Sequence, residues 1–230
     1  MSIINLFPLS ILKEKIFIDQ IKKDEMIDEV KLMVSDSKNI DYKKKEYSWT
    51  GDTQGFEYVS RNQKFKELFS QIKIKIQNYI EHLKVNKDAI EVYMTRTWAT
   101  LSNNHEKINK HRHKQSHISF VYYLKKNEND SNLVFFDEYY QNEIIPGIFT
   151  SGTAKNQGII KELNLFNTRS VDVKVEEDEI IIFPSKALHG TQPIGTNDGR
   201  ISISGDIVCV AKNSSNLETM MPPLKNWEKF

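Results

Sequence analysis

His111, His113 and His189, together with Arg200 and Ser202, have the residue types and spacing for chemistry at a metal ion. His111 and His113 form an HxH pair, and His189 stands just past a short apolar run in FPSKALHGTQPIG. Neutral imidazole is the commonest protein ligand for divalent transition metals. At the entrance of a β-strand, two-residue spacing puts both imidazoles of the pair on one face. A third imidazole from another strand completes one face of an octahedron and leaves the remaining positions open. Eleven positions after His189 (200 − 189) comes Arg200, which opens RISIS, and parity places Ser202 on the same strand face. Arginine presents a planar fork that matches a carboxylate. Buried beside a metal, that guanidinium requires such a partner.

Taken alone, the pair has a second reading. The chain has six histidines, and His105, His111, His113 and His117 equally suit the polar rim of a hairpin, with His189 as a capped core histidine. Continuing the strand parity from His111 and His113 places His117, Ser119, Val121 and Tyr123 on one face, unless a bulge intervenes. There is no P-loop, no GxGxxG and no Ser-His-Asp order. Cys209, within IVCV, reads as a small buried apolar residue and not as a nucleophile.

The elements that must position these residues divide into a helical first third and a β-rich remainder. INLFPLSIL, at positions 4–12, is broken by Pro8 and reads as an edge strand or covering segment. Apolar residues Leu12, Ile16, Ile27, Val30 and Val34 recur at helical spacing, and positions 35–55 turn polar. Phe65, Leu68, Phe69, Ile72, Ile76, Tyr79, Ile80 and Leu83 form an apolar helical stripe that outvotes the alternation of IKIKI. From Glu91 onward six short β-like runs follow: EVYMTRTWAT, ISFVYYL, LVFFD, SVDVKV, EIIIF and RISISGDIVCV. Their spacing predicts an antiparallel sandwich or jelly roll behind the helices. The aromatic residues Trp98, Phe120, Tyr122, Phe135 and Phe136 are assigned to its core. Positions 138–169 make a long excursion that reads as a lid or binding loop.

Lys+Arg total 32 against Asp+Glu 31, so no basic field marks the chain for nucleic acid. One cysteine excludes an internal disulfide, and positions 1–8 carry no basic region of a secretory signal. No apolar run approaches the roughly 20 residues of a membrane helix. These features predict a soluble cytoplasmic protein without membrane contact. The helices offer surfaces for a homodimer, although core packing explains their stripes without one.

The joint pattern, with Trp98 in the preceding strand, His111-Arg-His113, SFVYYL, LVFFD, Phe183-Pro-Ser, His189-Gly and Arg200-Ile-Ser-Ile-Ser, resembles the Fe(II)/2-oxoglutarate-dependent oxygenases. It is most similar to a bacterial and phage branch related to prolyl 4-hydroxylases, with which LFPLSI and the terminal MPP also agree. The resemblance implies a mainly β fold, a double-stranded β-helix (jelly roll) flanked by N-terminal helices. It implies one domain over 1–230, with a helical third at 1–90, a core at 91–212 and a C-terminal strap at 213–230. His111 and His189 match the two metal histidines. His113 stands where most relatives hold a carboxylate ligand, so either the triad is all imidazole or another residue, such as Asp137, supplies the carboxylate. Arg200, with Ser202 and Tyr123, matches the group that binds the distal carboxylate of 2-oxoglutarate. The implied activity is hydroxylation of an unidentified peptide or small molecule by dioxygen, with Fe(II) as cofactor and 2-oxoglutarate decarboxylated to succinate. Two other readings stay open: a three-histidine zinc enzyme of the hydrolase type, and a non-catalytic jelly roll with a structural metal.

Overall fold

The computed structural model describes residues 2–36, 58–103, 105–149, 152–193, 199–213 and 218–230. Strand β1 (Leu12–Lys15) precedes helix α1 (Gln20–Asp36) and helix α2 (Lys66–His82). The β-rich part comprises β2 (Ile90–Ser102), β3 (Ile118–Lys125), β4 (Leu133–Phe136), the short helix α3 (Gly152–Asn156), β5 (Ser170–Val173), β6 (Glu179–Pro184), β7 (His189–Thr191) and β8 (Arg200–Ala211). A five-stranded sheet, ordered β1-β6-β3-β8-β2, faces a three-stranded sheet, ordered β5-β4-β7, and every pairing is antiparallel. This is the jelly-roll architecture expected from the sequence.

Two apolar layers fill it. Along β3, Phe120, Tyr122 and Leu124 join the core under the helices, whereas Val121 and Tyr123 join the core between the sheets. Both faces of β3 are therefore covered, which is why ISFVYYL lacks the polar alternation of a half-exposed strand. Helix α1 starts where Asp19 accepts from the Ile21 amide (3.0 Å), and buries Met26, Val30 and Met33. Helix α2 buries Leu68, Phe69, Ile72, Ile76, Tyr79 and Ile80, with Phe69 edge-on to Phe120 at 6.3 Å. Ile74, in the middle of IKIKI, is exposed, as the helical register requires. Lys84, at φ 58°, ends the helix in the left-handed region, and the Val85 amide closes back on the Ile80 carbonyl.

One expectation needs correction, and one strand lies outside the six β-like runs. Leu12 and Ile16 do not belong to a helix: Leu12–Lys15 pairs with β6 as an edge strand, and the helix begins at Gln20. Two apolar residues four apart fit either period, and the exposed edge of β6 decides between them. Strand β7 is only three residues long, too short to show a period, and is held by β4. The polar segment at 35–55 lies largely outside the described residues. Among the described residues no helix is long and apolar enough to cross a membrane.

Gly205 is forced by packing. A Cβ there would lie 2.6 Å from the Phe120 ring and 2.9 Å from the Arg96 carbonyl oxygen. Overpacking of this kind costs about 1–3 kcal/mol. Gly205→Ala is therefore expected to lower stability by about 2 kcal/mol in urea titration; an unchanged midpoint would mean that Phe120 shifts freely.

Candidate metal centre

The backbone brings the histidines together before any side-chain chemistry is involved. His111 and His189 form an antiparallel bridge, with N–O distances of 2.9 and 3.0 Å, and the His113 amide donates to the Ser185 carbonyl at 3.0 Å. Gly190 permits this approach, since a Cβ there would come within 2.8 Å of the Ile108 carbonyl oxygen.

Each ring is then oriented through its Nδ1. His111 Nδ1 meets the Asn109 carbonyl at 2.8 Å, His189 Nδ1 meets the Ala187 carbonyl at 2.9 Å, and His113 Nδ1 meets Asp206 Oδ1 at 2.8 Å. Carbonyl and carboxylate oxygens only accept, so Nδ1 carries the proton and Nε2 presents a lone pair. The ligand nitrogens of the three residues lie within 4.8 Å of one another, with His111 Nε2 and His113 Nε2 3.1 Å apart. Two nitrogens adjacent on a metal at about 2.1 Å stand about 3 Å apart. Converging lone pairs repel unless a cation lies between them, so the donor set fits a divalent transition metal.

Buried among apolar rings and next to His111, His189 has its pKa pushed down to about 3. His111 is lowered as well, first by burial. Both are thus held neutral, the form that binds metal. Unfolded histidine takes up a proton near pH 6.5, whereas folded His189 does so only near pH 3. The unfolded state therefore binds more protons between those values, so this residue carries no penalty above pH 6.5 and destabilises as pH falls below it. Metal-free protein is expected to lose about 1–2 kcal/mol through His189 between pH 7 and 5. Urea titrations at the two values, with His189→Gln flattening the dependence, provide the check.

On the same cavity, of about 570 Å³, lie Arg200, Ser202 and Tyr123. Arg200 is 2% exposed and, among the described residues, donates only to neutral oxygens: Ser131 O at 2.7 Å, Ser131 Oγ at 2.8 Å and, weakly, Ser102 Oγ at 3.4 Å. Its Nε and the Tyr123 hydroxyl are buried without any hydrogen-bond partner. Ser202, paired across the sheet with Tyr123, is also buried. A buried cation and an unsatisfied phenol side by side are costly unless an anion completes them. A carboxylate is such an anion.

Other residues fall elsewhere. Asp137 is exposed, accepts the Tyr139 amide at 2.9 Å and lies outside the histidine cluster. His117 is exposed, and its Nδ1 accepts from the Cys209 amide at 3.0 Å, because the turn at 114–117 breaks the strand parity. Cys209 is only half-buried. Trp98, assigned to the core from sequence, instead lines the cavity and stacks on His113 at 5.6 Å and 18°. No described residue of the 138–169 excursion lines the cavity. Sequence reasoning missed Asp206, which is fully buried behind His113. The signal was present: positions 200, 202, 204 and 206 share one parity on β8. Burial raises its pKa, but His113 and the hydroxyls of Ser119 and Ser116 outweigh that, and the net shift is downward.

A jelly roll with converging imidazoles and a buried arginine at one end is the arrangement that the sequence resemblance leads one to expect. Residues 96–206 match the family described as "Putative 2OG-Fe(II) oxygenase", in agreement with the resemblance carried by the sequence motifs. That family uses Fe(II) and 2-oxoglutarate, and the histidine cluster can hold the metal. In fold the chain is similar to AviO1 from Streptomyces viridochromogenes Tue57, at TM-score 0.54 and 11% identity, covering 94% of this chain and 92% of that one. It is also similar to the non-heme alpha ketoglutarate dependent epimerase SnoN from nogalamycin biosynthesis, at TM-score 0.55 and 11% identity, covering 96% and 87%. A third is HygX from Streptomyces hygroscopicus with nickel and 2-oxoglutarate bound, at TM-score 0.50 and 9% identity, covering 87% and 82%. No curated protein matches the sequence.

Proposed function

We propose that this protein is an Fe(II)/2-oxoglutarate-dependent dioxygenase that hydroxylates a C–H bond of a peptide or small molecule. The observation that carries this reading is one cavity holding three convergent imidazole nitrogens and, apart from them, a buried Arg200 and Tyr123 with unpartnered polar atoms. The structure of HygX, which holds nickel and 2-oxoglutarate, supports the same pairing of metal and co-substrate.

In this reading His111, His113 and His189 hold Fe(II) through Nε2. Arg200 and the hydroxyls of Tyr123 and Ser202 bind the distal carboxylate of 2-oxoglutarate in a low-dielectric wall, where charge-assisted hydrogen bonds are strong. When bound, the iron and co-substrate supply dioxygen activation: one oxygen atom enters the C–H bond and the other enters succinate, with release of carbon dioxide. The chain orients both groups, keeps His111 and His189 neutral and lines the cavity with Val121, Leu133 and Phe183, which exclude water.

Anaerobic addition of Fe(II) and 2-oxoglutarate is expected to produce the weak visible charge-transfer band of the chelate, and admission of dioxygen to yield succinate. Bound metal without a band would shift the assignment to a zinc enzyme or a structural site.

A further inference from the structure

The most unusual feature of the centre is what stands behind His113. Where the resemblance leads one to expect a carboxylate ligand, this chain has an imidazole, so three neutral ligands would leave the full charge of a divalent ion in a buried cavity. Asp206 reaches the far side of that imidazole at 2.8 Å and is 0% exposed. Its other contacts are all donors: Ser116 Oγ at 3.2 Å and Ser119 Oγ at 3.0 Å to Oδ1, and Gln115 Nε2 at 3.0 Å to Oδ2. A carboxylate surrounded only by donors is held ionised and in one orientation. His113 is also confined by Trp98, stacked at 18°, and by His189, nearly parallel at 9°. The other two histidines rest on backbone carbonyls, so His113 alone is backed by a charge.

We propose that Asp206 is a positioning residue that replaces the missing carboxylate ligand from one shell out, fixing His113 with Nε2 toward the metal and supplying the negative charge through the ring. The inference rests on the metal reading of the site. A carboxylate hydrogen-bonded to a ligating imidazole orients the ring and raises its basicity, and loss of such a partner weakens metal binding about 10- to 100-fold. The position is written into the strand: Asp206 shares the inward face of β8 with Arg200, so one strand serves both the metal side and the co-substrate side of the cavity.

The test is metal affinity, measured by competition of full-length metal-free protein with a chelator for Co(II) and Fe(II), with thermal unfolding as the control for folding. Asp206→Asn removes the charge while keeping size, and is expected to bind about 10- to 100-fold more weakly. The double variant His113→Asp with Asp206→Asn returns the carboxylate to the ligand position and is expected to bind at least tenfold more tightly than Asp206→Asn alone. A purely structural role for Asp206 would not produce that recovery. Folded Asp206→Asn with wild-type affinity, or a double variant no better than the single one, would overturn the proposal. Wild-type protein that binds neither metal would overturn the metal reading itself, and this inference with it.

Discussion

Arg200→Ala is expected to weaken 2-oxoglutarate binding by about two to three powers of ten while leaving metal affinity within a few-fold of wild type. Truncating one partner of a buried, hydrogen-bonded charge pair costs about 2–5 kcal/mol, much of it from stranding the other charge. At about 1.4 kcal/mol per decade, the middle of that range gives the stated loss. Here the pocket side is well defined: Ser131 holds one end of the guanidinium, and Nε and the Tyr123 hydroxyl stay unpartnered. Anaerobic titration of the chelate band with 2-oxoglutarate gives the dissociation constant directly. Arg200→Lys should recover only part of the loss, because an ammonium cannot form the two-pronged contact. If Arg200→Ala binds 2-oxoglutarate as tightly as wild type, the carboxylate lies elsewhere and the assignment of Arg200, Ser202 and Tyr123 fails together.

The second large effect concerns the histidines. Structural zinc sites with four ligands bind with about 10–16 kcal/mol, which divides to about 2.5–4 kcal/mol per ligand. Removing one imidazole at a three-histidine centre should therefore weaken metal binding by about two to three powers of ten. His111→Ala, His113→Ala and His189→Ala are each expected to show this by chelator competition. Asp137→Ala is expected to bind like wild type, since Asp137 is exposed and spends its carboxylate on the Tyr139 amide. A loss in Asp137→Ala together with retained binding in His113→Ala would reverse the choice between them.

The two predictions rest on different layers of the fold. The arginine depends on β8 lying beside β3 in the five-stranded sheet, where Ser202 pairs with Tyr123. The histidines depend on β7, held by β4 in the three-stranded sheet, and on the segment before β3 that the His111–His189 bridge clamps to it. Damage to one should leave the other largely intact, so the ratio of metal loss to co-substrate loss distinguishes site defects from unfolding.

By itself the sequence determined the class of fold, the helical stripe of α2, and the candidate residues that reach the cavity: the HxH pair, the later histidine, and the alternation of Arg200 and Ser202. These are legible because local periodicity and side-chain chemistry are properties of the chain alone. The tertiary structure decided what periodicity cannot carry. Leu12 and Ile16 fit helix and strand equally until the edge of β6 chooses strand. His117 keeps the parity of His113 on paper, but the turn between them sends it to the far face beside Cys209. Trp98 reads as core by composition and becomes cavity wall because His113 is placed against it. Asp206 has the correct parity but lies 93 residues from His113 (206 − 113). Only the pairing of β3 with β8 brings its strand position opposite Ser119, and only that juxtaposition sets a strand aspartate behind the His113 imidazole.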